Sequence, residues 1–248
     1  MKEDTIYYVR KPQITYGIQI GILLLECYIP YIPGMIGNAT TFKYPVRYKV
    51  VRGASINRII NERDPKLIEP FIESGKELIA EGVQAVTGNC GFVALFQKQI
   101  AEELNVPVFM SSILLVPLIS RMLRAHEKVA IVTADASNLD DSILQAAGIS
   151  NEIGIHLCDL NKSVHFQESI LQEGGTLNAN ILENEVLEII EDELRDDPLI
   201  KAIVLECTDI PPFAYAIQEK IGLPVFDIVS LIDFVYNGLT RKPYRGQI

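Results

Sequence analysis

Apolar residues along this chain alternate between short unbroken runs and stretches where they recur every three or four positions. That alternation is the signature of buried parallel strands joined by amphipathic helices. Residues 18–25, IQIGILLL, carry no charge and read as a first buried strand, and residues 46–51 read as a second. Pro65 opens a helix whose apolar positions are Leu67, Ile68, Phe71, Ile72, Leu78 and Ile79. A short apolar run over 83–86 then breaks at Thr87-Gly88-Asn89, with Cys90 just past the break. Phe92, Leu95, Phe96, Ile100 and Leu104 follow at helical spacing, and a strand closes the stretch at 106–109. Beyond it the pattern predicts a helix over 111–123, a strand over 129–133, a helix over 138–147, an extended segment over 153–158 and an acid-rich helix over about 178–195. Strand and helix in strict alternation predict an α/β fold.

The stretch around Cys90 occurs twice. Residues 201–226 repeat the order of strand, cysteine, helix and Leu-Pro-Val-Phe. A shift of 117 residues lays Cys90 on Cys207, Phe96 on Phe213, Ile100 on Ile217, Leu104 on Ile221, and Pro107-Val108-Phe109 on Pro224-Val225-Phe226. The cysteine-to-proline spacing is 17 in both copies, without a gap. A lone cysteine in an apolar setting is ordinarily buried filler. Two at equivalent points of a repeat instead predict two related α/β units, each presenting a thiol at the carboxyl edge of its sheet, where ligands bind in parallel sheets. A purely structural duplication, with both cysteines kept as small hydrophobes, is the alternative.

Between the first two strands, residues 26–41 hold Pro30, Pro33, Gly34 and Gly37 and end near Asn38, which reads as a functional loop or a compact surface loop. Lys43, Arg47, Lys49 and Arg52 form a local basic cluster, read as a solvated strand face. The remaining cysteines are expected to be replaceable, Cys158 as inert core inside a strand and Cys27 as filler in the loop.

Composition narrows the function. A net charge of -10 and a pI near 4.9 argue against nucleic acid or an anionic membrane surface as a partner. No apolar run approaches a membrane span, and the opening residues lack the apolar core of a secretory signal. The four cysteines show no C-x-x-C spacing and the three histidines no H-x-x-x-H, so neither a metal site nor a disulfide framework is indicated. Reduced thiols in a cytoplasmic protein is the economical reading.

At the two cysteine segments the chain resembles the Asp/Glu/hydantoin racemase superfamily of cofactor-independent isomerases. Thr87-Gly88-Asn89-Cys90-Gly91-Phe92 looks like the first motif and Glu206-Cys207-Thr208-Asp209 like the second, with Cys207-Thr208 matching the Cys-Thr pair of amino-acid racemases. Residues 32–40, IPGMIGNAT, look like the N-terminal loop of an uncharacterised branch. The chain departs from the family at Gly91-Phe92, where Asn-Thr usually follows the cysteine, and at Asp209, where His or Glu is common. The resemblance implies two pseudo-symmetric domains, each a short parallel sheet flanked by helices, with a cleft between them and often a homodimer. The expected division is 1–113 with 225–248 for the unit carrying Cys90, and 114–224 for the unit carrying Cys207.

It further implies a cofactor-free racemase or epimerase acting on a small anionic substrate beside a carboxylate or carbonyl. One of Cys90 and Cys207 would remove a proton and the other return one, which requires a thiolate facing a thiol, both with values not far above neutral. With no Lys or Arg near either cysteine in sequence, helix N-termini and amides are expected to stabilise the thiolate. Asn38, Thr87, Asn89, Gly91, Thr133, Thr208 and Asp209 are the expected substrate-binding residues. A one-thiol decarboxylase or a cis-trans isomerase of small diacids would use the same scaffold. A non-catalytic binding protein would leave both thiols dispensable.

Overall fold

The structure, a computed structural model, describes residues 6–195, 197–244 and 246–247. Among the described residues, eight strands build two four-stranded sheets, both wholly parallel. In the first, β1 (Ile20–Leu25), β2 (Val46–Val51), β3 (Ala85–Gly88) and β4 (Val108–Phe109) lie in the order β2-β1-β3-β4. In the second, β5 (Lys128–Thr133), β6 (Ile155–Asp159), β7 (Ile200–Leu205) and β8 (Val225–Phe226) repeat it as β6-β5-β7-β8. The repeat seen in sequence is thus a repeat of topology. Val108 and Phe109 form β4 as Val225 and Phe226 form β8, each pairing with the strand that precedes its cysteine.

The connections are helical: α1 (Ile56–Ile60), α2 (Ile68–Ala80), α3 (Gln97–Glu103), α4 (Val116–Ser120), α5 (Asp141–Ala146), α6 (Val164–Phe166), α7 (Ala179–Leu194), α8 (Ala214–Ile221) and α9 (Ile228–Leu239). Pro65 fits the start of its segment because its missing N–H is one the first turn cannot use. Asp64 caps that turn by accepting from the Lys66 amide. Two expected helices begin differently. After Cys90 the chain makes a six-residue 3-10 helix, Gly91–Phe96, and α3 starts only at Gln97. After Cys207, a 3-10 turn at Pro211–Phe213 precedes α8.

Strands β1 and β3 in one sheet, and β5 and β7 in the other, present buried side chains such as Leu23, Val86, Ile131 and Val204 to a core continuous across both halves. A satellite core forms where α9 lays Ile228, Leu231 and Ile232 over Ile20, Ile22 and Ala85 of the first sheet. The chain therefore returns to the first half after Phe226. Asp227 makes the return sharp, capping α9 by accepting from the Ser230 amide at 2.7 Å. Among the described residues, no helix is long and apolar enough to cross a membrane.

Three residues of the basic cluster are ion-paired. Arg47 meets Glu81, Lys49 meets Glu77, and Arg52 reaches Glu26 at 2.8 Å. Cys158 is wholly buried in β6, as expected of a core cysteine, and burial pushes its thiol up to about 12. His156, on the same strand, sits 3.2 Å from Glu193 on α7.

Candidate active site between the two sheets

In each sheet the chain winds in opposite directions from β1 and β3, or from β5 and β7, and the crevice outside their carboxyl ends is where doubly wound folds bind ligands. The two crevices face one another here. A small cavity lies between them, lined by Cys90 and Asn89 after β3 and by Glu206, Cys207, Thr208 and Asp209 after β7. The two halves are bonded at this point: the Thr208 hydroxyl donates to the Asn89 carbonyl at 2.5 Å. Cys90 is half-buried and Cys207 buried.

The loop after β1 supplies a third wall, including Cys27, Ile29 and Tyr31. Asn89 anchors it, accepting from the Leu25 amide at 2.7 Å and donating to the Tyr31 hydroxyl at 2.9 Å. Gly34, at φ +102°, lets the loop lie against Pro212 of the second half, where an added Cβ would meet the Pro212 Cα at 2.8 Å. Cys27, expected to be loop filler, lines the cavity with its sulfur 3.2 Å from the Tyr31 hydroxyl. Burial pushes the Cys27 thiol up to about 11.

Several expected binding residues are committed elsewhere. Thr87 donates to the Phe109 carbonyl inside the first sheet, and Thr133 donates to Glu206 at 2.8 Å beneath the cavity wall. Neither lines the cavity. Asn38 stands outside it too, holding the loop by donating to the Tyr31 carbonyl and capping the turn at Ala39–Thr41. Asn89 and Thr208 reach the cavity with part of their capacity used, leaving the second Asn89 N–H and the acceptor side of the Thr208 hydroxyl. Gly91 lines it for a steric reason: an added Cβ there would meet a Glu206 carboxyl oxygen at 2.0 Å. The departure from the family pattern at Gly91 thus makes room for Glu206.

Glu206 belongs to the second motif yet carries no distinguishing signal in sequence, since a carboxylate beside a strand end is usually solvated. In the fold it is 1% exposed, with Oε2 accepting from Thr133 and from the Ala134 amide, and Oε1 without a partner. Asp209 is 8% exposed; the Cys207 thiol points to its Oδ2 at 4.0 Å, and its Oδ1 has no partner. Burial pushes both carboxyls up to about 7.

The thiols are not poised near neutrality, contrary to expectation. Burial first, then the nearby carboxyls, drive Cys90 and Cys207 well above the ordinary thiol range. Cys90 caps the 3-10 helix Gly91–Phe96, while no helix begins directly at Cys207; the amides that favour thiolate are that of Phe92 for Cys90 and that of Asp209 for Cys207. None of the described residues lining the cavity is Lys, Arg or His. The remainder of the wall is apolar, with Ile56, Ile60, Phe92, Ile170 and Leu171.

No family model matches the chain. Among curated proteins it is 27% identical over 242 residues to a dimethylsulfoniopropionate lyase of Durusdinium sp. clade D, covering 96% of this chain and 80% of the relative. It is 28% identical over 235 residues to dimethylsulfoniopropionate lyase 7 of Emiliania huxleyi, covering 92% and 69%. Among solved structures, allantoin racemase from Klebsiella pneumoniae matches with a TM-score of 0.60 at 18% identity, over 93% of this chain and 96% of that one. Unliganded arylmalonate decarboxylase matches with a TM-score of 0.57 at 15% identity, over 93% and 96%. The chain shares its two-sheet α/β fold with allantoin racemase and arylmalonate decarboxylase.

Proposed function

We propose that this chain is a cofactor-independent lyase that removes the proton beside a carboxylate and expels the substituent on the next carbon. The observation that carries the reading is the cavity itself: thiols and buried carboxyls converge in an apolar enclosure whose described lining holds no cationic side chain. The sequence relatives support elimination over the racemisation expected above, since both bear the name of a lyase. A substrate of the kind that name contains, a β-sulfoniopropionate, carries a proton on the carbon next to the carboxylate and a neutral sulfide as leaving group.

Cys207 is the base in this reading. Its proton has an acceptor in place, Asp209 Oδ2, so passing it there yields a thiolate beside a neutral carboxyl without changing the charge of the cavity. The thiolate takes the proton next to the substrate carboxylate. The freed C–H electron pair forms the carbon–carbon double bond, the bond to sulfur breaks, and its pair leaves with the sulfide. The products are an unsaturated acid and a neutral thioether, and the proton returns to solvent. Such a step uses one face of the substrate, and Cys90 then shapes and closes the opposite wall. Proton removal by a positioned base contributes about two to four orders of magnitude to such reactions.

Racemisation is the second reading, favoured by the equivalent placement of Cys90 and Cys207 in the two halves. One experiment separates them. The purified protein is incubated in D₂O with β-sulfonio acids, amino acids and hydantoins, and products are followed by NMR. Elimination gives the unsaturated acid and thioether; racemisation gives deuterium at an intact stereocentre. Deuterium entry at a stereocentre with no bond cleavage in any β-substituted acid would overturn the lyase reading.

A further inference from the structure

Tyr31 is pinned at three points. Its ring lies over Gly37, where an added Cβ would stand 2.5 Å from a ring carbon, and the Asn38 side chain donates to its carbonyl at 2.8 Å. Its hydroxyl accepts from the Asn89 side-chain amide at 2.9 Å. The Leu25 amide donates to the oxygen of that same side chain, which fixes the Asn89 nitrogen toward Tyr31. The hydroxyl therefore sits between Asn89 and Cys27, both of which line the cavity as Tyr31 itself does.

What this arrangement lacks is an acceptor. Among the described residues the phenol proton has one neighbour, the Cys27 sulfur at 3.2 Å, which is a weak acceptor. Asn89 keeps a second N–H beside it. Tyr31 and Asn89 both pull the Cys27 thiol down, against the larger push of burial that leaves it at about 11. Two donors thus converge beside a sulfur that carries no charge at neutral pH. Burial, and then the Asp209 charge, raise the Tyr31 hydroxyl well above its ordinary value, so it remains a donor. With no Lys, Arg or His in the described lining, an acid entering this cavity meets neutral donors. Adjacent donors 2.9 Å apart suit the two oxygens of one carboxylate.

We propose that Tyr31 is a substrate-binding residue: its hydroxyl leaves the Cys27 sulfur and, with the second N–H of Asn89, holds the substrate carboxylate. The assignment rests on the reaction read above only for the carboxylate itself, and it adds a residue to that reaction. As the neighbouring proton leaves, negative charge grows on the carboxylate oxygens. A donor already in place stabilises that charge more than it stabilises the bound acid. Neither donor lies on the turn that carries Cys207, so the acid is held from a different wall than the base.

The test is a binding measurement that needs no turnover. Isocaproate, an acid with no leaving group, and isocaproamide, its neutral counterpart, are titrated calorimetrically into the wild-type protein and into Tyr31→Phe, which keeps the ring. The wild-type protein is expected to prefer the acid by at least about tenfold. Tyr31→Phe should lose most of that preference while binding the amide within about twofold of wild type and keeping the melting curve. A packing role alone would weaken both ligands together. In turnover, the same variant should lose about two orders of magnitude in kcat with a smaller change in KM. Equal binding of acid and amide by the wild-type protein, no binding of the acid, or an undiminished preference in Tyr31→Phe would overturn the assignment. Should the variant fail to fold, the tyrosine absorption of the wild-type protein decides: the acid, and not the amide, shifts a tyrosine band, and no shift overturns it. The outcomes are separable from those of the reaction. An acid preference that depends on Tyr31, with no elimination from any β-sulfonio acid, removes the lyase reading and keeps the site. Elimination with an undiminished acid preference in Tyr31→Phe does the reverse.

Discussion

The Thr208 hydroxyl donates to the Asn89 carbonyl at 2.5 Å, so the turn that carries Cys207 is bonded directly to the turn that carries Cys90. Asn89 in turn holds the loop of Tyr31 and Cys27 through its side chain. These bonds together tie the three walls of the cavity to one another. Thr208→Val keeps the shape and removes the donor, leaving the Asn89 carbonyl unpaired at a cost of about 1–3 kcal/mol. The expected result is a lowered denaturation midpoint together with a larger fall in kcat than in affinity, both restored by Thr208→Ser.

Gly91 is expected to be intolerant of any side chain. A Cβ would stand 2.0 Å from Glu206 Oε1 and 2.6 Å from the Glu206 carbonyl oxygen; Thr133 and Ala134 hold the carboxyl, and the Glu206 amide is bonded to the Val132 carbonyl. Gly91→Ala should destabilise the fold by roughly 1–3 kcal/mol, as overpacking does. The pair of variants Gly91→Ala and Gly91→Ala with Glu206→Gly, compared by urea denaturation, should show at most partial recovery in the second, because the contact with the Glu206 backbone carbonyl remains.

The two remaining cysteines should separate. Cys158→Ala trims a side chain packed in β6, and about 1 kcal/mol of stability is the expected loss, with activity unchanged. Cys27→Ala removes a cavity-lining sulfur against Tyr31, so its effect should fall on KM rather than on the melting temperature. Steady-state kinetics with thermal denaturation of both variants checks the contrast.

Stability should decline with rising pH through mild acidity. Glu206 and Asp209 lie at about 7 in the folded protein, above their values in the unfolded chain. Between those values the folded state binds more protons than the unfolded one, so their contribution is full below about pH 4 and lost as pH rises through about pH 7. The loss is on the order of a few kcal/mol. Urea midpoints of the wild-type protein and Asp209→Asn across that interval measure it: the difference between the two should grow in favour of the variant as pH rises.

Much of this architecture is written in the chain. The strands at Val46–Val51 and Lys128–Thr133 and the helix behind Pro65 stand where apolar period and turn residues place them, and the repeat relating Cys90 to Cys207 is a repeat of sheet topology. What could not be read is who satisfies whom. Thr133 and Glu206 lie 73 residues apart in sequence, and only the fold reveals that one consumes the other's hydrogen bond. Cys27 sits in a Pro- and Gly-rich loop with no period to say which way it faces, and Asn89 turns it inward through Tyr31. The α9 helix left a local signal, Ile228, Leu231 and Ile232 at helical spacing behind the Asp227 cap, but its partner surface on the first sheet is remote in sequence. The thiols mislead for the same reason. Local sequence shows small residues and a turn after each cysteine, whereas their electrostatics are set by burial and by Glu206 and Asp209 together.

The central claim, that a cavity thiol removes the proton next to a substrate carboxylate, is tested most directly with the two cysteine variants. Release of thioether and unsaturated acid from β-dimethylsulfoniopropionate is followed by NMR for the wild-type protein, Cys90→Ala and Cys207→Ala, each checked for an unchanged melting curve. The account predicts turnover by the wild-type protein, a loss of about three orders of magnitude in Cys207→Ala, and a smaller loss in Cys90→Ala. A folded Cys207→Ala variant that eliminates at the wild-type rate would contradict it.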